Sequence, residues 1–154
     1  MTHLLGLFYF LTPLCPVQVQ AQMRMQDKYT DLEDAMLVTL DNGAIATFAG
    51  TARARHEWRQ ELVIHAEKCC VTFDTSAKFS SIAWHPGTMQ GFGNVSDNVS
   101  RWLVSSNLVD VVLGRGSNGS PASAGVRAVE TLEAAYRSAA GNGMPVKVKE
   151  LYSC

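Results

Sequence analysis

The chain has 154 residues, of which 47% are hydrophobic and 18% are charged, and its formal net charge is -1 at pH 7. This length predicts one domain with its own core, and the apolar content excludes a disordered chain. Lys and Arg are scattered singly, which argues against a nucleic-acid partner because phosphates need clustered basic side chains.

The four cysteines form no CxxC pair, and their spacing fits neither a zinc site nor a small disulfide scaffold. We therefore expect no bound metal, and we predict free thiols in a reducing compartment, which makes the protein cytoplasmic. Adjacent Cys69 and Cys70 would point to opposite faces of a strand, so packing is a simpler role for them than chemistry.

The first stretch of the chain allows two interpretations. Residues 1–16 are an apolar run, which is either a cleaved export signal or the first helix of the fold. A signal peptide begins with a positive charge, which is absent here, and Pro13 and Pro16 interrupt the run. The run is also too short and too broken to span a bilayer. We favour the helix. The alternative is an exported small-ligand or protein-binding module whose residues 1–21 are removed by cleavage after Ala21.

Strand patterns follow over residues 16–95. Residues 16–26 alternate between apolar and polar side chains, which is typical of a strand with one buried face. Asn42-Gly43 predicts a hairpin with a type I′ turn, in which both residues have positive φ. The other predictions are a polar connection over 27–34, strands over 58–65, 70–73 and 79–84, turns at 66–68 and 85–87, and a glycine-rich loop over 88–94.

The hydrophobic period becomes helical from Ser96 onwards. Residues 114–121 interrupt this pattern, and a second helix follows that ends at Gly141-Asn142-Gly143, where the residues suit a left-handed cap. One face of this second helix carries the larger apolar side chains Val126, Val129, Leu132 and Tyr136. A short strand around Val146 and Val148 closes the chain.

Strands followed by helices predict an α+β fold, with an open, largely antiparallel mixed β-sheet and helices packed on one face. The predicted single domain, 1–154, comprises a junction helix (1–15), the sheet (16–95), two helices (96–141) and a final strand (145–149). An open sheet face usually packs against something, most simply a second copy of the chain. We expect the face that bears Gln18, Gln20 and Gln22 to be covered in a homo-oligomer or by a partner domain.

From Thr2 to about Tyr152 the chain resembles the C-terminal domain of the Gfo/Idh/MocA family of NAD(P)-dependent sugar and polyol oxidoreductases. The order and spacing of several short motifs carry the resemblance. These motifs are His3-Leu4-Leu5-Gly6-Leu7, Leu40-Asp41-Asn42-Gly43-Ala44, Ser123-Ala124-Gly125-Val126-Arg127-Ala128-Val129-Glu130, Ala134-Ala135-Tyr136-Arg137-Ser138-Ala139 and Pro145-Val146.

The resemblance implies a sugar or polyol substrate and NAD(P) as the cofactor of the complete enzyme. His3 matches the histidine of the family's Asp-x-x-x-His pair, whose aspartate would lie upstream of Met1. The family's Rossmann domain and Glu-Lys-Pro motif have no counterpart, since Glu67-Lys68 is followed by Cys69 and no G-x-G-x-x-G follows a predicted strand. We therefore expect an incomplete oxidoreductase that binds no cofactor alone.

Few side chains are candidates for chemistry. His3 is either a catalytic remnant or an inert terminal residue. Arg53, His56 and Trp58 could line a polyol pocket at a strand end, although solvated loop charges are the simpler explanation. The main hypothesis is the substrate-contact and oligomerisation domain of a sugar or polyol dehydrogenase, and the chain is either a stand-alone protein or a fragment of a longer enzyme.

Overall fold

A computed structural model describes residues 1–27, 30–54, 59–74, 79–92 and 97–148. The chain divides into two compact units, of which the first comprises Met1–Arg55 with Ser120–Cys154 and the second His56–Gly119. The prediction of a single domain stays a prediction. The elements in chain order are α1 (Thr2–Leu11), β1 (Pro16–Met25), β2 (Asp31–Leu40), β3 (Ile45–Thr51), β4 (Glu61–His65), β5 (Cys69–Asp74), β6 (Phe79–Trp84), β7 (Thr88–Phe92), α2 (Asp97–Val112), α3 (Ala122–Ala140) and β8 (Val146–Lys147).

The predicted α+β class is confirmed, but the described strands form two four-stranded sheets where one mixed sheet was predicted. The strand orders are β3-β2-β1-β8 and β4-β5-β6-β7. Every described pairing is antiparallel. Short connections explain the pairings between consecutive strands, because a tight turn can join only antiparallel neighbours. The pairing of β1 with β8 joins two distant parts of the chain.

Three local predictions were wrong in detail. The connection predicted over 27–34 ends early, because β2 already begins at Asp31, where it pairs with the end of β1. Residues 88–92, predicted to be a loop, form β7, in which Gly91 pairs with Ser81. The hairpin at Asn42-Gly43 is confirmed, but its turn is not type I′. Gly43 has φ +82 and Asn42 is not among the described residues with positive φ, which fits a three-residue loop with a left-handed glycine.

The core of the first unit lies between one face of β1–β3 and the helices α1 and α3. Val19 and Val38 are fully buried on this face. From α1, Phe8 packs edge-on against Phe48 of β3, with ring centroids 5.6 Å apart. Leu5 and Tyr9 are buried as well. Removing residues 1–21 would take Leu5, Phe8, Tyr9 and more than half of β1 out of the core, so the export alternative gains no support from the fold.

Helix α3 buries a face of small residues, and not the face that carries Val129 and Tyr136. Those two side chains are 56% and 41% exposed. Small side chains let the helix lie close to β1, and the buried polar groups among them are hydrogen-bonded, as burial requires. Ser138 accepts a bond from the N–H of Ala21 (2.9 Å) and donates one to the carbonyl of Met144 (2.7 Å).

The cysteines behave differently from one another. Cys69 and Cys70 are free, as predicted. Cys15 is disulfide-bonded, so the prediction of free thiols is wrong for this residue. Cys15 is buried at the junction of α1 and β1, where its carbonyl accepts the N–H of Asp41. Spacing alone could not reveal a bond that depends on tertiary contact.

The second unit is an antiparallel meander followed by α2. The turn between β6 and β7 places Gly87 at φ +95, and the N–H of Gly87 donates to the carbonyl of Trp84. Asn107 of α2 binds the following loop from both sides, since it donates to the carbonyl of Ser117 and accepts the N–H of Gly119. None of the described helices is long and apolar enough to cross a membrane.

Candidate functional site

His3, the candidate catalytic residue, lies in the first turn of α1 and is exposed. The opposite side of the same helix is buried through Leu5, Phe8 and Tyr9, which fixes the direction of the helix. The methyl group of Met1 lies 3.4 Å from the place where a Cβ on Gly50 would stand. The first turn of α1, which carries His3, is therefore next to the end of β3.

The part of β2 that pairs with this end of β3 carries a carboxylate, Asp34, on the buried face of the sheet. Asp34 shares the alternation of Met36, Val38 and Leu40, and its carboxylate lies close to Gly50, with Oδ1 2.6 Å from the place where a Cβ on that glycine would stand. Burial raises the pKa of Asp34, against the lowering effect of the positive amino group of Met1. A carboxyl group at this position holds a proton more readily than an exposed aspartate does.

A second carboxylate and a phenol complete this end of the unit. The hydroxyl of Tyr136 donates to Oδ1 of Asp31 at 2.9 Å. Burial raises the pKa of Tyr136, and the hydrogen bond to Asp31 and the charges of Asp31 and Asp34 raise it further. The phenol therefore stays protonated at neutral pH and acts as a hydrogen-bond donor. We call Asp31, Asp34, Gly50 and Tyr136, with the adjoining first turn of α1, the carboxylate corner.

The carboxylate corner offers acceptors, one phenolic donor and an exposed imidazole within one end of a folded unit. Such groups can hydrogen-bond the hydroxyls of a sugar or polyol, and His3 could exchange a proton with one of them. Hydride transfer also needs a nicotinamide, and the glycine-rich run that begins at Gly114 lies between two helices, without the preceding strand of a dinucleotide fold. The described residues include no group of three or more potential metal ligands.

Of the other three predicted pocket residues, only Arg53 lies in the part of the chain that the structure describes. Arg53 is exposed just beyond β3, where its N–H donates to the hydroxyl of Thr51 at 3.1 Å. His56 and Trp58 lie outside the described residues. A polyol pocket made of Arg53, His56 and Trp58 stays a prediction.

A second feature of the first unit is the face of β1–β3 that points away from α1 and α3. We call it the open face, and it holds a cavity of about 640 Å³ between the sheet and the turn at Asn142 and Gly143. Its central side chains are uncharged, and Arg24 and Glu33 form an exposed ion pair at one end of it, at 3.5 Å. The central side chains are Gln18, Gln20 and Gln22 of β1, Ala35, Leu37 and Thr39 of β2, and Ile45, Thr47 and Ala49 of β3.

Asp31, Asp34 and Tyr136 were not among the site residues predicted from the sequence. A signal for Asp34 was present, since it precedes Met36, Val38 and Leu40 at a spacing of two and so had to share their buried face. Asp31 and Tyr136 are separated by 105 positions in the chain, and no local pattern links them.

No protein-family model matches the chain, and no curated protein matches it either. The chain does match solved structures. Levoglucosan dehydrogenase in complex with NADH superposes with a TM-score of 0.82 at 14% identity, over 97% of this chain and 49% of the enzyme. For UDP-N-acetylglucosamine 3-dehydrogenase GnnA from Acidithiobacillus ferrooxidans the TM-score is 0.74 at 19% identity, over 91% of this chain and 46% of the enzyme.

The WlbA dehydrogenase from Bordetella pertussis, in complex with NADH and UDP-GlcNAcA, matches with a TM-score of 0.68 at 15% identity, over 97% of this chain and 43% of that enzyme. The chain thus spans about half the length of the enzymes it matches. These structures are oxidoreductases of the Gfo/Idh/MocA type, and the fold of this chain is that of their C-terminal domain. The resemblance predicted from the short motifs is confirmed for the fold.

Proposed function

We propose that this chain is the substrate-contact and oligomerisation part of a sugar or polyol dehydrogenase and that it does not transfer hydride alone. The observation that carries the proposal is the extent of the structural match. Almost the whole chain superposes on less than half of a dehydrogenase that binds NADH. A fold shared over that extent supports a shared place in a two-part enzyme, whereas the chemistry must be argued from the residues.

In this proposal NAD(P) is held by a Rossmann domain, either as a separate partner or as another part of a longer enzyme. The carboxylate corner supplies the substrate contacts. Asp31 and Asp34 accept hydrogen bonds from substrate hydroxyls, and Tyr136 positions Asp31 through their 2.9 Å hydrogen bond. His3, which is exposed in the first turn of α1, is in this proposal the group that exchanges a proton with the reacting hydroxyl.

The open face supplies the oligomerisation surface, and a second copy of the chain is its simplest partner. The cytoplasmic location stays a prediction. It was argued from free thiols, and the disulfide bond at Cys15 runs against that argument because cytosolic thiols are kept reduced.

A nucleotide titration tests the proposal. The purified chain is titrated with NADH, followed by NADH fluorescence, and is then incubated with NAD(P) and a panel of sugars and polyols. We expect neither saturable nucleotide binding nor NAD(P)H formation, and a complete dehydrogenase measured alongside shows that the assay works. Saturable NADH binding together with unaided polyol oxidation would refute the proposal.

A further inference from the structure

Asparagine is followed directly by glycine at three places in the chain, at Asn42, Asn118 and Asn142. An Asn–Gly bond is open to spontaneous deamidation because glycine has no side chain to hinder its backbone nitrogen. That nitrogen loses its proton to base and bonds to Cγ of the asparagine, while the Cγ–NH2 bond breaks and ammonia leaves. Water then opens the resulting succinimide ring and yields aspartate or isoaspartate. A glycine nitrogen can attack only after the hydrogen bond of its N–H has opened.

The hydrogen bonds at Gly43 and Gly143 belong to packed elements. The N–H of Gly43 donates to the carbonyl of Leu40 at 2.9 Å, within the hairpin of β2 and β3. The N–H of Gly143 donates to the carbonyl of Ser138 at 2.8 Å, at the end of α3. Leu40 and Ser138 are both buried. Either N–H is released only when a packed element opens, which costs more free energy than the opening of a surface loop.

The N–H of Gly119 is bound by a side chain instead. It donates to Oδ1 of Asn107, in α2, at 2.9 Å. Nδ2 of the same side chain donates to the carbonyl of Ser117 at 3.0 Å, so Asn107 binds the backbone on both sides of Asn118. A Cβ on Gly119 would stand 3.2 Å from Oδ1 of Asn107, which shows how closely the two residues pack.

The surroundings of this loop make the bond at Gly119 the easiest of the three to open. Residues 112–120 are all exposed, and Asn107 is only partly buried. Rotation of the Asn107 side chain is enough to release the N–H of Gly119, and α2 stays intact while it happens. The two other glycines have no such local route, because their acceptors are backbone carbonyls.

We propose that Asn118 is a deamidation site, that it reacts before Asn42 and Asn142, and that the side chain of Asn107 limits its rate by binding the N–H of Gly119. The inference is independent of the proposed function. The product has a carboxylate where the amide stood, and in the isoaspartate form the backbone runs through the former side chain. The reaction therefore changes both the charge and the path of the loop that follows α2.

Peptide mapping tests the order of reaction. Trypsin cuts after Lys and Arg, which places the three Asn–Gly bonds in separate peptides, residues 29–53, 116–127 and 138–147, each with a single asparagine. The full chain is incubated in mildly alkaline buffer, and mass spectrometry follows deamidation of each peptide over time. We expect Asn118 to react first in the folded chain and the three rates to converge in urea. Faster reaction at Asn42 or Asn142 in the folded chain would overturn the inference.

A substitution in α2 tests the role of the side chain. We expect Asn107→Ala to speed deamidation of Asn118 about fivefold, the factor that corresponds to about 1 kcal/mol for one hydrogen bond. The rates at Asn42 and Asn142 should stay unchanged, which also shows that the variant is folded. Ser105→Ala, at an exposed position of the same helix, is the control and should change none of the three rates. An unchanged rate at Asn118 in Asn107→Ala, or an equal rise at all three positions, would contradict the role of Asn107.

Discussion

Asp34 lies on the buried side of β2, and its protonation contributes to stability. Burial raises its pKa above the ordinary value of 3.8, so the folded state binds a proton more tightly than the unfolded state does. The stability that follows is fully present below the unfolded pKa and is lost as pH rises through the raised folded pKa.

We therefore expect the change Asp34→Asn to alter the pH dependence of unfolding. In the wild type the contribution of Asp34 to the unfolding free energy falls as pH rises above 3.8, and in the variant this fall is absent. Urea unfolding at a series of pH values measures it. Glu33→Gln, on the open side of the same strand, is the control. Equal slopes in wild type and Asp34→Asn would contradict the account.

At the scale of the elements, α1 and β3 each contain a glycine, and the two differ in the space around them. A Cβ on Gly6, inside α1, would meet nothing within 4 Å. A Cβ on Gly50, in β3, would stand 2.6 Å from Oδ1 of Asp34. The same substitution should therefore have opposite effects at the two positions.

We expect Gly6→Ala to raise the unfolding free energy by about 0.5–1 kcal/mol, because alanine loses less conformational entropy in a helix. Gly50→Ala should lower it by about 1–3 kcal/mol, the usual cost of adding a methyl group to a packed site. Chemical unfolding of the two variants in parallel measures both. A stabilised Gly50→Ala would mean that the carboxylate corner is looser than its contacts indicate.

The same structure shows which helices and strands could be predicted from the sequence. Alternation and turn residues were sufficient for β1, β3 and β6, and for the helix end at Gly141-Asn142-Gly143, because those signals are local. They failed for β7, whose glycine and polar residues are held by pairing with β6. They also failed for the buried face of α3. There β1 lies close to the helix, so small side chains are buried and Val129 is exposed to solvent. The spacing of apolar residues along a helix does not reveal how close a neighbouring strand lies.

For the candidate site, the sequence predicted a histidine but not its surroundings. His3 was found through the family motif, whereas Asp31 and Tyr136 meet only because α3 returns across the sheet. Long-range contacts thus determine what the local patterns could not predict.

At the scale of the whole molecule, the chain has the fold of about half of an oxidoreductase. We propose that the carboxylate corner contacts a hydroxylated substrate and that the open face meets a second copy of the chain. The two proposed roles would occupy different surfaces of the first unit. The carboxylate corner lies at one end of the sheet, and the open face lies on the side away from α1 and α3. A variant of one surface should therefore leave the other role intact.

The central claim is that this chain contacts the substrate and leaves the nucleotide to another domain. The most direct measurement is a protein-observed NMR titration of the full chain with a panel of sugars and polyols, and separately with NADH. The account predicts saturable shifts at His3, Asp34 and Tyr136 with at least one sugar or polyol, reduced in Tyr136→Phe, and no saturable shifts with NADH. Saturable shifts with NADH, and none at the carboxylate corner with any sugar or polyol, would contradict it.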